Sequence, residues 1–212
     1  MELCWKVRWR LHMKVKKVCA DLPSLRSGFV SVYKEAFGGP PYYEKYEDTE
    51  VVNDIWLPHV KKGLVVLASE GEKTIGFSCS MPFSESPVDV QTYLLGKKEN
   101  NSLSLDVRAI WYNSELGVET PYRKKGVGYA LMRVRLAEIV ASGGEYYVAR
   151  TASVGSNSLH LYERIGSVKL PGSHNVSISD QVIVNKSQST ERIYLYGSCK
   201  EAIREIDVIL TE

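Results

Sequence analysis

The sequence lacks the patterns that mark several large classes of protein. Its four cysteines are far apart with no metal-ligand spacing, and its four histidines form no helical pair, so we expect reduced cysteines and no metal site. No apolar run approaches the about 20 residues of a membrane span, and the basic N-terminus lacks the apolar core of a signal peptide. We therefore expect a cytoplasmic protein with no membrane partner.

Charge and composition further restrict the kind of protein that this sequence can encode. The net charge of +2 is nearly balanced, which argues against nucleic acid as a partner. The sequence shows no internal repeat and no low-complexity tract. A hydrophobic content of 44% over 212 residues is enough for a full core, so we expect a single domain spanning 1–212.

The N-terminal segment alternates with a period of two. Between Trp5 and Lys16, apolar residues occupy the odd positions and basic residues, His12 included, the even ones. This predicts a long strand over 4–18 with one buried and one solvated face. Lysine and arginine on an edge strand discourage pairing with another chain. A nucleic-acid or membrane-binding stripe is the alternative interpretation of this basic face.

The rest of the chain predicts an α+β fold, a mixed sheet with helices on both faces. Residues 82–105 form a loop that either holds a short helix around Val90–Leu95 or serves as a functional flap. A final helix is expected over 199–210. The other predicted elements are helices at 22–37, 48–59, 129–142 and 156–165, strands at 63–70, 74–81, 109–118 and 146–151, and a closing hairpin at 181–184 and 192–196.

The most informative stretch is Arg123–Gly128, a short basic turn with two glycines between a strand-like run and a helical run. The first N–H groups of a helix have no intrahelical partner and carry the positive end of its dipole, so such a turn can hold phosphate. Tyr129 follows where a nucleotide-triphosphate loop ends in Gly-Lys-Ser, and Leu131 replaces the third glycine of a dinucleotide turn. A plain strand-to-helix connection with solvated charges is the alternative.

Two blocks of sequence together resemble the GNAT superfamily of N-acetyltransferases. The first is Arg-x-x-Gly-x-Gly after a strand that ends Leu-x-Val, and the second is Leu161–Gly166, which is similar to the family's Leu-Tyr-x-(Lys/Arg)-x-Gly helix end. The resemblance implies a mostly antiparallel sheet whose two central strands splay at one end, with acetyl-coenzyme A in the gap. It implies cofactor binding by Leu116, Val118, Arg123, Lys124, Lys125, Gly126, Val127, Gly128, Tyr129 and Asn157.

The chain departs from the family pattern at three places. Pro121 lies one residue after the usual proline position, and Ser167 replaces the phenylalanine that usually follows the glycine of the second block. Gly155 stands where the family often has asparagine, and Asn157 lies two residues later. These departures concern side chains, so the backbone cradle of the turn is unaffected.

The resemblance places a tyrosine, here Tyr162, near the sulfur of the cofactor. A phenol with a pKa of about 10 can give a proton to a leaving thiolate; the alternative is that Tyr162 only packs. Glu115 is the one carboxylate in the central strand and the first candidate for general base. Strand alternation puts Glu115 opposite Tyr112 and Ser114 unless a bulge shifts the register. Tyr112 and Ser114 ordering a water, or Glu119, are the alternatives.

The leading hypothesis is an acetyl-coenzyme A dependent N-acetyltransferase that acts on a primary amine. The alternative is a non-catalytic module of the same fold that senses acyl-coenzyme A. The resemblance implies that the loop Gly38–Asp48 walls the acceptor site. Its three tyrosines alternate with Glu44, Glu47 and Asp48, which suits a small cationic amine; an ordinary polar connection is the alternative. The sequence leaves the acceptor's identity and a homodimer open.

Overall fold

A computed structural model describes residues 13–40, 42–99, 106–175 and 191–212. Seven strands of these residues form one sheet in the order β1-β2-β3-β4-β5-β7-β6. Neighbouring strands are antiparallel except for β4 and β5, which run parallel. The strands are β1 Met13–Lys17, β2 Leu64–Glu70, β3 Lys73–Pro82, β4 Ile110–Val118, β5 Tyr146–Ala152, β6 Val168–Asn175 and β7 Glu191–Ser198.

Helices cover both faces of this sheet. The longest is α1, and its partner across the sheet is α5, so the predicted mixed fold with helices on both faces is confirmed. A π-helical segment, Val51–Trp56, joins α2 to α3. The helices are α1 Pro23–Gly38, α2 Asp48–Glu50, α3 Leu57–Lys62, α4 Val88–Glu99, α5 Val127–Ala141, α6 Asn157–Arg164 and α7 Cys199–Thr211.

The core has two layers because the inner strands, such as β2 and β3, bury residues on both faces. On one face, α5 and α7 pack over a cluster that includes Leu131 and Tyr147. On the other face, α1 and α3 pack over a cluster that includes Phe29 and Phe77. A third cluster around Leu94 places α4 on that second face, over the far half of the sheet.

The N-terminal strand follows the predicted alternation where it is described. Met13 and Val15 are buried, whereas Lys14 and Lys16 are exposed. β1 is an edge strand of the sheet. Its lysines are therefore placed where they can discourage pairing with another chain. Residues 4–12 of the predicted strand lie outside the described residues.

Segment 82–105 contains a helix, as one of its two sequence interpretations predicted, whereas β6 was not predicted. α4 covers Val88–Glu99, and its buried residues Val90 and Leu94 lie one turn apart. β6 was missed because Pro171 and Gly172 lie inside it and its pairing with β7 shifts register there, both of which break a period-two pattern. The predicted strand 181–184 lies outside the described residues.

β4 carries one residue more than β3 at its middle. Cys79 pairs with Glu115 and Ser80 pairs with Asn113, so Ser114 is the extra residue of a β-bulge. The parallel pairing of β4 with β5 ends at Asn113. The two central strands therefore part at the bulge, and the predicted splay is confirmed.

Candidate active site

The parted strands open into a cleft of about 910 Å³. Its walls come from five parts of the chain that are far apart in sequence. They are the end of α1 with the loop that follows, the end of β4, the turn before α5 with the start of that helix, one face of α6 from its N-cap to its end, and the last turn of α7. Among the predicted cofactor residues, those that line the cleft are Leu116, Val118, Arg123, Lys124, Gly126, Gly128, Tyr129 and Asn157.

The turn before α5 has left-handed backbone at two positions. Lys124 has a φ of 58° and Gly126, the N-cap residue of α5, has a φ of 79°. An L residue at such a φ is strained, whereas glycine is not, so Lys124 stores strain at this turn. Left-handed residues in a tight turn aim successive N–H groups into one concavity that binds anions. The backbone of this turn therefore has the form of an anion site, and phosphate binding there stays a prediction.

The start of α5 is held tightly against α6. A β-carbon on Gly128 would lie 3.1 Å from Leu161 Cδ1, closer than ordinary van der Waals contact. The Val127 side chain is buried in the core, and the Lys125 ammonium lies over the Tyr122 ring at 5.7 Å. Lys125 and Val127 thus direct their side chains away from the cleft, and a cofactor contact from either residue would involve its backbone.

Arg123 ties the turn to the end of the central strand. Its Nε donates to the carbonyl oxygen of Val118 at 2.9 Å. One guanidinium nitrogen is therefore engaged within the protein, while the residue still lines the cleft. This hydrogen bond joins the end of β4 to the turn before α5.

Polar residues at the start of α6 were missed by the sequence reasoning. The hydroxyls of Thr151, Ser156 and Ser158 lie within 2.6–2.8 Å of one another, and both serines line the cleft with Asn157. The Arg164 guanidinium lies 5.9 Å from the centroid of the Tyr129 ring. The run of small polar residues before the second block was the available signal.

The end of α7 was also missed as a part of the site. Ile209 and Leu210 line the cleft, and Leu210 Cδ2 lies 3.6 Å from the point where Gly126 would carry a β-carbon. An ion pair between Arg133 and Asp207, with Nε to Oδ1 at 2.9 Å, helps to hold α7 on α5. The sequence indicated an amphipathic helix here but gave no sign of where it docks.

Tyr162 is buried, with 3% of its surface exposed. Its hydroxyl accepts a hydrogen bond from Arg135 Nη2 at 3.0 Å, and the Asn113 amide faces the same oxygen. Burial raises the pKa of Tyr162, while Arg135 and Asn113 oppose that rise. The phenol is therefore protonated at neutral pH and lies where β4 and β5 part. Its catalytic role stays a prediction.

The bulge decides where Glu115 points. Beyond Ser114 the alternation of β4 is reset, so Glu115 lies on the same face as Tyr112, towards α1 and the loop after it. Burial, and then the charge of Glu44, raise the pKa of Glu115 to about 8, although Arg150 and Arg135 lower it. The side chain is only partly buried by solvent accessibility, so it can exchange protons.

The alternative bases predicted from the sequence have other partners. Ser114 Oγ lies 2.7 Å from His59 Nε2, and Nδ1 of that histidine donates to the Ile55 carbonyl oxygen at 2.6 Å. Tyr112 is buried with 4% exposure. Glu119 forms an ion pair with Lys73 at 2.6 Å. Among these candidates Glu115 combines partial exposure with a pKa close to neutrality.

The loop between α1 and α2 presents one carboxylate towards Glu115. Burial raises the pKa of Glu44, which accepts a hydrogen bond from the Tyr46 hydroxyl at 2.8 Å. Glu47 caps the N-terminus of α2, and Asp48 pairs with Lys34 at 2.6 Å on the surface. Of the three acidic residues predicted for an acceptor site, only Glu44 influences Glu115.

Two absences hold for the described part of the chain. No group of three or more potential ligands among His, Cys, Asp and Glu could hold a metal ion there. No helix within the same residues is long and apolar enough to cross a membrane.

Comparison of the sequence with protein-family models gives one match, which covers most of the elements that form the cleft. The model of the Acetyltransferase (GNAT) family matches residues 29–166, which include the turn, Glu115 and Tyr162. The chain belongs to the GNAT acetyltransferase family. Comparison with curated protein sequences finds no match.

Solved structures share the fold of this GNAT protein. An N-acetyltransferase from Staphylococcus aureus is similar with a TM-score of 0.62 at 14% identity, covering 88% of this chain and 99% of that one. A protein from Pyrococcus horikoshii gives 0.60 at 17% identity, with coverages of 88% and 98%. The protein yncA from Salmonella typhimurium, described as an acetyltransferase with its cofactor acetyl-CoA, gives 0.59 at 14% identity, with coverages of 88% and 94%.

Acetyl-CoA suits the site of this GNAT protein. The left-handed turn at Lys124 and Gly126 offers backbone donors for a pyrophosphate. The Asn113 amide and the Tyr162 hydroxyl lie together at the point where β4 and β5 part.

Proposed function

We propose that this GNAT protein is an acetyl-CoA dependent N-acetyltransferase that acts on a primary amine of a small cationic molecule. One observation carries the proposal. Glu115 and Tyr162 flank β4 from opposite faces, at the point where β4 parts from β5. A proton acceptor and a proton donor therefore stand on either side of the gap in which the thioester would lie.

The reaction moves two protons. Glu115 can accept one of them as a carboxylate, and Tyr162 can donate the other as a neutral phenol. Transfer forms a C–N bond and breaks the C–S bond of the thioester. Glu115 accepts the proton of the incoming ammonium, since a base with a pKa near the working pH is most effective. Tyr162 gives its proton to the departing sulfur and regains one from the nitrogen that has become an amide. The proton on Glu115 then passes to solvent.

The turn and the strand end position the donor substrate. N–H groups at Arg123–Gly128 and the first turn of α5 would hold the pyrophosphate, while Leu116 and Val118 provide the strand edge beside the pantetheine arm. When bound, the thioester supplies the activated acetyl group. Asn157, Tyr129 and the end of α7 complete the wall of the cleft.

The acceptor preference rests on the loop after α1. Glu44 is half-buried and lies near Glu115. The rings of Tyr46 and Tyr33 lie beside it, with their centroids 5.3 Å apart. Paired carboxylates and aromatic faces favour a cation over an anion or a neutral group. A cationic amine such as a polyamine, an amino sugar or a lysine-like amine fits this chemistry.

Free-thiol release from acetyl-CoA tests the proposal in the presence of a panel of amines. We expect turnover with cationic amines and little with acidic or neutral ones. Tyr162→Phe should bind acetyl-CoA with unchanged affinity by calorimetry and turn over about 100-fold more slowly, the scale of general acid catalysis. Acetyl-CoA binding without turnover for any amine would instead support the non-catalytic module.

A further inference from the structure

Arg135 is a fully buried cation in the middle of α5, with 0% of its surface exposed. Burying a charged group is costly unless its partners compensate. Within the described residues Arg135 forms no ion pair, and its Nε atom is buried without a hydrogen-bond partner. The core of this helix is otherwise apolar, with Leu131, Met132 and Leu136 as neighbours.

The two terminal nitrogens of Arg135 reach both the bulge that carries Glu115 and the Tyr162 hydroxyl. Nη1 donates to the backbone carbonyls of Glu115 at 2.9 Å and Cys79 at 3.2 Å, which are paired residues at the bulge. Nη2 donates to the Tyr162 hydroxyl at 3.0 Å and also lies against the sulfur of Met132. One planar side chain thus contacts both the strand that carries the base and the acid itself.

We propose that Arg135 is a positioning residue that fixes Glu115 and Tyr162 relative to each other. Its positive charge also favours the deprotonated state of each group. This inference rests on the proposed function. A guanidinium has only donors, so its bond to the phenol oxygen leaves the phenolic proton free to pass to the sulfur. It then stabilises the phenolate that this step creates. Its bond to the Glu115 carbonyl holds the bulge that turns the carboxylate towards the acceptor.

Every charged or titratable group around this pair contributes to its electrostatics. Tyr162 faces Asn113 and Glu115 of β4, Arg135 of α5 and, with ring centroids 5.9 Å apart, Tyr147 of β5. Glu115 is affected by the charges of Glu44, Arg150 and Arg135. It also faces the phenols of Tyr33 in α1, Tyr46 in the loop after α1 and Tyr112 in β4. The thiols Cys79 and Cys199 face Arg135 and, because burial raises their pKa, both are neutral near pH 7. Among the residues that the structure describes, Arg135 is thus the one permanent charge that acts on both Glu115 and Tyr162.

The first test measures the pKa of Glu115 directly. Carboxyl carbon-13 NMR titration of the full chain gives this value in Arg135→Met and Arg135→Lys, with Glu115→Gln assigning the signal. We expect Arg135→Met to move the midpoint upward by about one unit, because a favourable charge is lost, and Arg135→Lys to move it less. Arg133→Met, the same change two residues along α5 at the ion pair with Asp207, should leave it in place.

The second test uses turnover and a double-variant cycle. Arg135→Met should lower kcat at least tenfold with unchanged acetyl-CoA affinity. Its further effect in a Tyr162→Phe background should be smaller, because only its contact with the Glu115 strand remains there to be lost. Independent, multiplying effects would show a general packing role and overturn the inference, as would an unmoved Glu115 midpoint. If Arg135→Met does not fold, Arg135→Lys carries both tests.

The two proposals fail in distinguishable ways. A wild-type protein without turnover on any amine contradicts the proposed function, whereas the NMR titration still reports on Arg135 in that case. A wild-type enzyme with normal turnover and an Arg135→Met variant of equal kcat and equal Glu115 midpoint contradicts the role of Arg135 alone.

Discussion

The Ser114 hydroxyl lies 2.7 Å from Nε2 of His59, and this contact fixes the extra residue of the β4 bulge. His59 is held in the opposite direction by the Ile55 carbonyl, within the π-helical segment. Burial lowers the pKa of His59, so the ring is neutral and Nε2 accepts from the hydroxyl. The π-helical turn, the histidine and the bulge together hold Glu115 on the face of the sheet that α1 covers.

Replacing Gly126 should lower both the stability of the fold and the affinity for acetyl-CoA. Gly126→Ala places a side chain at a φ of 79° and should cost about 1–2 kcal/mol of unfolding free energy. It should also weaken acetyl-CoA binding at least tenfold in calorimetric titration, because the turn must distort. Gly126→Trp should abolish binding.

Gly71 provides a matched control for this prediction. It has a φ of 59° in the β2–β3 turn, and nothing lies near its missing β-carbon. Gly71→Ala should lose similar stability and keep full affinity for acetyl-CoA. Unchanged affinity after Gly126→Trp would argue against a phosphate site at this turn.

Removal of the Glu115 charge should change both rate and stability with pH. With a pKa of about 8 against an ordinary 4.5, the folded state holds a proton that the unfolded state releases. The Glu115 carboxyl therefore contributes fully to the free energy of unfolding below about pH 4.5, and this contribution is lost as the pH rises through 8. Glutamine does not titrate, so Glu115→Gln does not lose this stability. In urea unfolding, the free energy of unfolding of the variant relative to wild type should therefore increase from pH 5 to pH 9.

The rate of the same variant should respond in the opposite sense. Wild-type turnover should rise through about pH 8 as the Glu115 carboxylate forms. Glu115→Gln should be slow at neutral pH and recover at high pH, where the amine is neutral without help. An active Glu115→Gln enzyme at pH 7 would assign the base role to water. Glu138→Gln, at the surface ion pair with Lys17, should keep the wild-type profile.

The three acidic residues of the acceptor loop should differ in effect. Glu44→Gln should raise the Michaelis constant for the amine about tenfold, the value of a hydrogen bond to a charged group, and leave that for acetyl-CoA unchanged. It should also lower the midpoint of the pH–rate profile, because the Glu44 charge raises the pKa of Glu115.

Asp48 serves as the control for Glu44. Asp48→Asn removes an equal charge from the same loop, but this carboxylate pairs with Lys34 at the surface. Its amine kinetics should match wild type. Equal effects of the two variants, or none from Glu44→Gln, would remove the loop from the acceptor site.

The last turn of α7 should contribute to cofactor affinity. Combined Ile209→Ala and Leu210→Ala should raise the dissociation constant for acetyl-CoA about tenfold, since each loses apolar surface that lines the cleft. Val208→Ala changes an exposed residue of the same turn, 56% accessible, and should have no effect. Calorimetry distinguishes these outcomes, and equal affinities would place α7 outside the site.

Local chemistry made the phosphate turn and most elements predictable from the sequence. A glycine at a left-handed position and the donors of a helix start depend on residues next to each other in the chain. The same holds for period-two alternation in β1 and for the glycine stop after α1. The GNAT family could be inferred because its two blocks combine such local features in a fixed order.

Tertiary structure decided what depends on pairing between distant segments. The direction of Glu115 follows from the bulge, which exists only in the register of β4 against β3. The buried setting of Arg135 and the docking of α7 onto the cleft likewise require segments that meet only in the fold. Alternation counted along β4 alone placed Glu115 on the wrong face, because one extra residue reverses every side chain beyond it.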